Sequence, residues 1–132
     1  MKSIPDIVVL FVDDETDTIN ALKRFLRKEP FTKIFVESGD EALKKLEGGG
    51  VDILVTDALM PNMSGPELIR AVRAGYPEII SLLVTGSNDV EHIVKSVGVG
   101  NIFGFIMKPI EPEPFKKAIA EAIEHYRKRD DR

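Results

Sequence analysis

Short apolar runs alternate along the chain with longer segments in which apolar residues recur at helical spacing. The runs, rich in Val, Ile, Leu and Phe, lie at residues 6–12, 33–37, 51–56, 79–85 and 102–107. Nearly unbroken apolar runs of this length are typical of strands buried on both faces of a sheet. The pattern therefore predicts five strands, most of them fully buried.

The segments between these runs carry apolar residues three and four positions apart, which indicates amphipathic helices. The predicted helices cover residues 15–28, 39–47, 65–74, 88–97 and 112–128. Ser64 and Pro66 suit the cap and first turn of the third helix, and Asn88 suits the cap of the fourth. Because strand and helix alternate five times, we predict a parallel sheet with helices on both faces.

Length and composition limit the classes of protein that fit. The 132 residues suit one domain, with a core at about 5–127 and a charged tail at 128–132 that we expect to fray. The net charge of −4 argues against binding nucleic acid, and the absence of cysteine excludes disulfides. We find no signal-peptide pattern and no apolar run near the ~18 residues of a membrane helix, so we expect a cytoplasmic protein.

Polar residues follow four of the five apolar runs. Asp13 and Asp14 follow the first run, Asp57 follows the third, Thr85 ends the fourth and Lys108 follows the fifth. In an open parallel sheet, ligands bind beyond the carboxyl ends of the strands. We therefore expect three carboxylates, a hydroxyl and an ammonium group to meet at one edge of the sheet.

Three carboxylates that lie close together repel one another, so the predicted site requires a cation. Oxygen ligands without His or Cys favour Mg²⁺ or Mn²⁺, and Mg²⁺ held by few carboxylates commonly serves phosphates. A carboxylate in such a site can act as a nucleophile and form an aspartyl phosphate. Lys108 and Thr85 would supply positive charge and a donor to the transferred group. The residues therefore predict that Asp57 accepts a phosphoryl group.

Four segments at these strand ends resemble the receiver domain of two-component response regulators. They are VDDE (12–15), TDALMPNMSG (56–65), LLVTG (82–86) and FIMKP (105–109), and the resemblance spans residues 5–127. It implies an α/β, flavodoxin-like (βα)5 fold, with a five-stranded parallel sheet of order 2-1-3-4-5 and helices on both faces. The whole chain, 1–132, would then be a single receiver domain.

The resemblance also implies a role for each residue of the site. Asp57 would be the phospho-acceptor in an aspartyl phosphate phosphoprotein. Asp13, Asp14, Asp57 and the backbone carbonyl of Leu59 would bind the metal, Mg²⁺ or Mn²⁺. Lys108 would pair with the phosphoryl oxygens, which makes it a catalytic residue alongside Asp57.

Two further residues take the roles of the family's switch. Thr85 would be the catalytic hydroxyl that moves towards the phosphoryl group, and Phe105 occupies the position of the switch aromatic. The peptide bond between Lys108 and Pro109 is expected to be cis.

Two positions depart mildly from the pattern of some family members. Leu59 and Ser87 resemble positions that tune hydrolysis of the phospho-aspartate. The apolar side chain of Leu59 cannot hydrogen-bond an attacking water. We therefore expect autodephosphorylation to be slow.

As a receiver, the chain would act in phosphorelay signal transduction. A histidine kinase would be the phosphodonor, and the surface of the fourth helix, fifth strand and fifth helix would change for a downstream effector protein or domain. The chain would catalyse only its own phosphorylation and dephosphorylation, with no external substrate, no nucleic acid contact and no membrane contact. The sequence leaves open whether the chain forms a homodimer and whether it is a whole regulator or part of a longer protein.

Two other functions fit parts of the sequence. A phosphorylation-independent protein-interaction module of receiver fold would not need the site residues, and all of them are present. An Mg²⁺-dependent phosphatase or phosphotransferase with an aspartate nucleophile usually carries a second acid two residues later, where this chain has Leu59.

Ordinary structural explanations also exist for the individual residues. Asp13 and Asp14 could simply favour the start of the first helix. Asp57 could lie in a solvated turn, Lys108 could be a solvated loop lysine, and Phe105 could be plain core. Whether these side chains meet at one place decides between the two interpretations.

Overall fold

Five parallel strands form the centre of the molecule in a computed structural model that describes residues 2–86, 90–98 and 101–130. The strands are β1 (Val8–Val12), β2 (Thr32–Val36), β3 (Ile53–Asp57), β4 (Ile80–Thr85) and β5 (Gly104–Met107). They pair in parallel in the order β2-β1-β3-β4-β5. The predicted fold class and strand order are therefore confirmed.

Five helices connect and follow these strands. They are α1 (Thr16–Phe25), α2 (Gly39–Glu47), α3 (Gly65–Gly75), α4 (Val90–Val97) and α5 (Pro112–Asp130). Ser64 caps α3 in a capping box with Glu67, as its position predicted. The predicted cap Asn88 and the departure Ser87 lie outside the described residues. No helix in the described part of the chain combines the length and the apolarity needed to span a membrane.

The sheet separates two apolar cores. One contains Phe11 and Phe115 and lies between the sheet and helices α1 and α5, while the other contains Leu10, Leu54 and Leu68 on the opposite face. Successive side chains of a strand point to opposite faces, so a strand between two helical layers must be apolar at nearly every position. This explains the unbroken apolar runs of β1, β3 and β4.

The prediction of full burial is wrong for β5, which is an edge strand like β2. Each of these edge strands has only one buried residue, and Phe103, just before β5, and Met107, its last residue, are 40% and 42% exposed. An apolar run cannot show whether a second strand covers its outer side. The exposed apolar residues therefore lie on an uncovered edge of the sheet.

Helix α5 continues further than the sequence pattern predicts. It ends at Asp130, so the predicted charged tail at 128–132 is helical over its first three residues. Near its end the hydroxyl of Tyr126 donates a 2.7 Å hydrogen bond to Oδ1 of the buried Asp52. The guanidinium of Arg127 donates to a backbone carbonyl near the N-terminus at 3.2 Å. These bonds hold the end of the helix against the sheet, where we had expected fraying.

Candidate functional site

Three aspartates converge at the carboxyl edge of the sheet. Asp13 and Asp14 directly follow β1, and Asp57 is the last residue of the adjacent strand β3. One carboxylate oxygen from each lies within 4.8 Å of the others. Asp57 is only 3% exposed, so a solvated turn does not describe it. The predicted acidic cluster is therefore present in the structure.

Lys108 completes this cluster from the end of β5. Its Nζ lies 2.6 Å from Oδ1 of Asp57, and its backbone N–H donates a 3.0 Å bond to the carbonyl of Thr85. The peptide bond from Lys108 to Pro109 is cis, as expected. Lys108 is therefore an ion-pair partner of the buried Asp57, although 41% of its side chain is exposed.

The electrostatics of the site reflect burial first and charge second. Burial raises the pKa of Asp13 to about 6, opposed by the backbone N–H of Glu15 and reinforced by the charge of Asp57. Burial alone would lower the pKa of Lys108. The carboxylates of Asp57 and Asp13 outweigh that effect, and the pKa of Lys108 is raised. The site therefore favours the charged form of the Lys108 ammonium group and disfavours the ionised form of the Asp13 carboxyl group.

The acidic residues after β1 contribute little to capping of α1. The N-cap is Glu15, and its side chain makes no capping hydrogen bond. Oδ1 of Asp13 accepts a hydrogen bond from the N–H of Glu15 at 2.9 Å, which is a local turn contact. The same carboxylate is also part of the acidic cluster. Helix capping therefore does not account for Asp13 and Asp14.

A metal ion fits the donor set of this site. Oδ1 of Asp57 is buried, and no described residue gives it a well-aligned hydrogen bond; its contact with Lys108 is an ion pair. Three clustered carboxylates carry more negative charge than the single ammonium group of Lys108 offsets, and such a cluster is costly without a further cation. Oxygen donors at this spacing suit a hard divalent cation such as Mg²⁺.

The two predicted switch residues lie on the neighbouring strands β4 and β5 and differ in burial. Thr85 is buried at the end of β4, and its hydroxyl lies 3.4 Å from the carbonyl of Gly86. Phe105 is half-buried on β5 and packs against the core on the α2–α4 side of the sheet. Thr85 therefore has a weak hydrogen bond at the end of β4, and Phe105 is only partly buried.

Leu59 is exposed beside the site. Its side chain is 73% exposed, two residues after Asp57. The leucine side chain has no polar group, so it can neither donate nor accept a hydrogen bond at this position. The structure thus brings Asp13, Asp14, Asp57 and Lys108 together at one edge, whereas Phe105 lies two residues before the end of β5.

Sequence reasoning assigned no role to Gly65. A Cβ atom at this glycine would lie 2.2 Å from the carbonyl oxygen of Asp57 and 2.9 Å from Cα of Ala58. Only glycine permits α3 to start so close to the acceptor strand. The signal was available, because Gly65 is the last residue of the TDALMPNMSG segment.

Comparisons with known proteins agree with this geometry. The chain matches the family described as response regulator receiver domain over residues 9–120. It is 34% identical to the chemotaxis protein CheY of Pseudomonas aeruginosa, over 88% of this chain and 95% of that protein. The crystal structure of the signal receiver domain of an HD domain-containing protein from Pseudomonas fluorescens superimposes with a TM-score of 0.89, at 27% identity, over 100% and 97% of the two chains.

The fold, the acidic edge and these similarities together define a signalling domain and not a classical enzyme. The chain belongs to the receiver domain family of response regulators. Receiver domains bind Mg²⁺ at an acidic pocket, which corresponds here to the cluster of Asp13, Asp14 and Asp57.

Several relatives are longer proteins. The chain is 36% identical to the hydrogenase transcriptional regulatory protein HoxA of Cupriavidus necator, over 88% of its own length. It spans only 24% of that relative's length.

Proposed function

We propose that this receiver domain is a phosphorylation switch in which Asp57 accepts a phosphoryl group from a histidine kinase or a small phosphodonor. The main support for this proposal is the environment of the Asp57 carboxylate. Its Oδ1 is buried, lies 2.6 Å from Nζ of Lys108 and lacks a well-aligned hydrogen bond among the described residues. A nucleophilic oxygen held in this way at the tip of a rigid strand is positioned for transfer.

The metal site would be formed by Asp13, Asp14, Asp57 and the backbone carbonyl of Leu59, and would hold Mg²⁺ or Mn²⁺. The bound ion would supply positive charge to the clustered carboxylates and to the phosphoryl oxygens. The clustering of three carboxylates within 4.8 Å supports this assignment.

The covalent step is a displacement at phosphorus. A carboxylate oxygen of Asp57 forms the new O–P bond while the P–N bond of the kinase phosphohistidine breaks. The electron pair of that bond stays on the imidazole nitrogen, which takes up a proton. Lys108 would stabilise the negative charge on the transferred group, and attack by water would later release inorganic phosphate. The domain thus acts only on its own Asp57.

The switch would follow from the new charge on Asp57. A phosphoryl group offers acceptor oxygens close to Thr85, whose present hydrogen bond is a weak one of 3.4 Å. Movement of Thr85 would leave space that Phe105 can fill, since Phe105 is half-buried on the adjacent strand. The phosphoryl group can shift the equilibrium between the two conformations only by the difference in its interaction free energy with each of them.

The output surface would consist of α4, β5 and α5. The uncovered edge of β5 and the exposed Phe103 and Met107 support this choice, because exposed apolar side chains mark contact surfaces. A downstream effector protein or domain, or a second copy of this chain, would bind there. The longer regulators among the relatives agree with an effector partner.

Intact-protein mass spectrometry tests the proposal after incubation with a small phosphodonor and Mg²⁺. We expect one added phosphoryl group, which should be absent from Asp57→Asn and from a sample with EDTA. No adduct on a protein that is folded and binds Mg²⁺ would contradict the proposal, unless a stable beryllofluoride complex shows that rapid hydrolysis removes the group. Absence of both would favour an interaction module that works without phosphate.

A further inference from the structure

The loop from β3 to α3 carries Leu59, and its two ends are held by backbone hydrogen bonds. At the start, the N–H of Ala58 donates to the carbonyl of Val84 at 2.9 Å. At the end, the N–H of Gly65 donates to the carbonyl of Ala58, also at 2.9 Å. These bonds fix both ends of residues 58–65, and between them the N–H of Met63 donates to the carbonyl of Pro61 at 2.8 Å.

Met63 packs the middle of this loop against the start of α2. A Cβ atom added to Gly39 would lie 2.6 Å from Sδ of Met63 and 3.1 Å from its Cβ and Cγ. Since even the base of the methionine side chain is this close, rotation of the thioether alone would not relieve the contact. Met63 is partly buried against the core on this side of the sheet.

Gly39 is required for this close approach and not for its backbone conformation. It is the first residue of α2, after the N-cap Ser38, and its φ is not positive. Alanine is a better helix former than glycine by about 1 kcal/mol. A glycine at this position therefore sacrifices helix propensity and gains contact with Met63.

The same junction also contacts the loop that carries the first two acids. The N–H of Asp13 donates to the carbonyl of Val36 at 3.2 Å, and the hydroxyl of Thr16 donates to Oε1 of Glu37 at 3.1 Å. Residues 36–39, which we call the β2–α2 junction, thus touch both loops of the acidic edge.

We propose that the β2–α2 junction is a positioning segment for the metal site, and that contact between Gly39 and Met63 sets the place of the Leu59 carbonyl relative to Asp13 and Asp14. The inference rests on the proposed function, in which these groups hold the ion. Displacement of Met63 would move the loop between its fixed ends, and metal affinity is sensitive to small changes in how ligands are held.

Titration with Mg²⁺ followed by two-dimensional NMR tests this proposal, because it yields a Kd without any phosphorylation. We expect Gly39→Ala to weaken Mg²⁺ binding by roughly tenfold. Gly75→Ala is the matched control, since a Cβ there meets nothing within 4 Å and Gly75 is also a helix residue. This control should keep the wild-type affinity. Thermal unfolding in EDTA shows whether each variant is folded.

Met63→Ala keeps the test decisive if Gly39→Ala does not fold. It removes the contact from the other side and should also weaken binding. In the double variant the new methyl group occupies space that the Met63 side chain has left. The increase in the Kd for Mg²⁺ should therefore be smaller than the product of the increases in the two single variants.

Wild-type affinity in both single variants, or effects that simply multiply in the double variant, would overturn the inference alone. A wild-type protein that binds no Mg²⁺ would overturn the proposed function and this inference with it.

Discussion

Asp13 is buried beside two other carboxylates, and this position has a consequence for stability. Its pKa is about 6 in the folded protein against 3.8 for an ordinary aspartate. Ionisation therefore favours the unfolded chain. The contribution of Asp13 to stability is fully present below pH 3.8 and is lost as the pH rises through about 6. In the metal-free protein at neutral pH, Asp13 is thus destabilising.

Removing this charge should stabilise the metal-free protein. We expect Asp13→Asn to raise the free energy of unfolding by about 1 kcal/mol at pH 7.5, a value reduced for solvent screening at the open edge. The gain should shrink towards pH 4, where Asp13 is protonated in the folded protein. Urea unfolding in EDTA at both pH values measures it, with Asp17→Asn on the exposed face of α1 as the control. An Asp13→Asn variant no more stable than wild type at pH 7.5 would contradict the burial argument.

Leu59 governs a second property at the residue scale, the lifetime of the phosphorylated state. Its exposed side chain offers no hydrogen bond to an attacking water. We expect slow autodephosphorylation in the wild type and several-fold faster loss of phosphate from Leu59→Asn. Release of inorganic phosphate after removal of the donor measures both rates. A wild-type half-life of seconds, or equal rates in the two proteins, would refute this role.

At the scale of elements, Asp52 ties the end of α5 to the amino edge of the sheet. Oδ1 accepts from Tyr126 and from Lys2, and Oδ2 accepts the N–H of Val8 at 2.9 Å. Burial of a carboxylate is tolerated when several donors satisfy it. Asp52 therefore joins the N-terminal segment, β1 and α5 at the edge opposite to Asp57.

Loss of the tyrosine hydroxyl should weaken this junction. We expect Tyr126→Phe to lower the free energy of unfolding by about 1.5 kcal/mol, since the hydrogen bond ends on a charged group. Tyr76→Phe is the control, because no hydrogen bond to the Tyr76 hydroxyl occurs within the described residues. Urea unfolding of both variants at pH 7.5 measures the difference. Equal stability of the two variants would show that the Asp52 contact contributes nothing.

The order of the elements could be predicted from sequence because the signals are local. Apolar runs mark strands, helical spacing marks helices, and Ser64 marks a cap within four residues of Glu67. Contacts between distant segments gave no such signal. Asp52 and Tyr126 are 74 positions apart, and Gly39 reads as an ordinary residue of a helix start. The burial of β5 was overestimated for the same reason, since an edge is a property of the whole sheet.

The site was predictable in composition but not in geometry. All strands of a parallel sheet end at one edge, so Asp13, Asp57 and Lys108 had to lie along the same edge. Neither the 2.6 Å contact of Lys108 with Asp57 nor the weak bond of Thr85 follows from that rule. Those depend on register and on the packing of side chains across three strands.

At the scale of the whole molecule, the sheet connects three regions. The acidic site lies at its carboxyl edge, the Asp52 junction lies at its amino edge, and β5 lies uncovered at its side next to β4, which ends in Thr85. A change at Asp57 would therefore reach the output surface through β4 and β5. The Asp52 junction would hold the far end of α5 in place during that change.

The most direct test of this account is an NMR comparison of the protein with Mg²⁺ alone and with Mg²⁺ plus beryllofluoride, which mimics a phosphoryl group on Asp57. The account predicts saturable binding, with amide shifts at Asp57, Thr85 and Lys108 that extend to Phe105 and α4. Asp57→Asn should show none of these changes. Binding confined to the neighbours of Asp57, with α4 and β5 unchanged, would contradict the switch, and no binding at all would contradict the acceptor role.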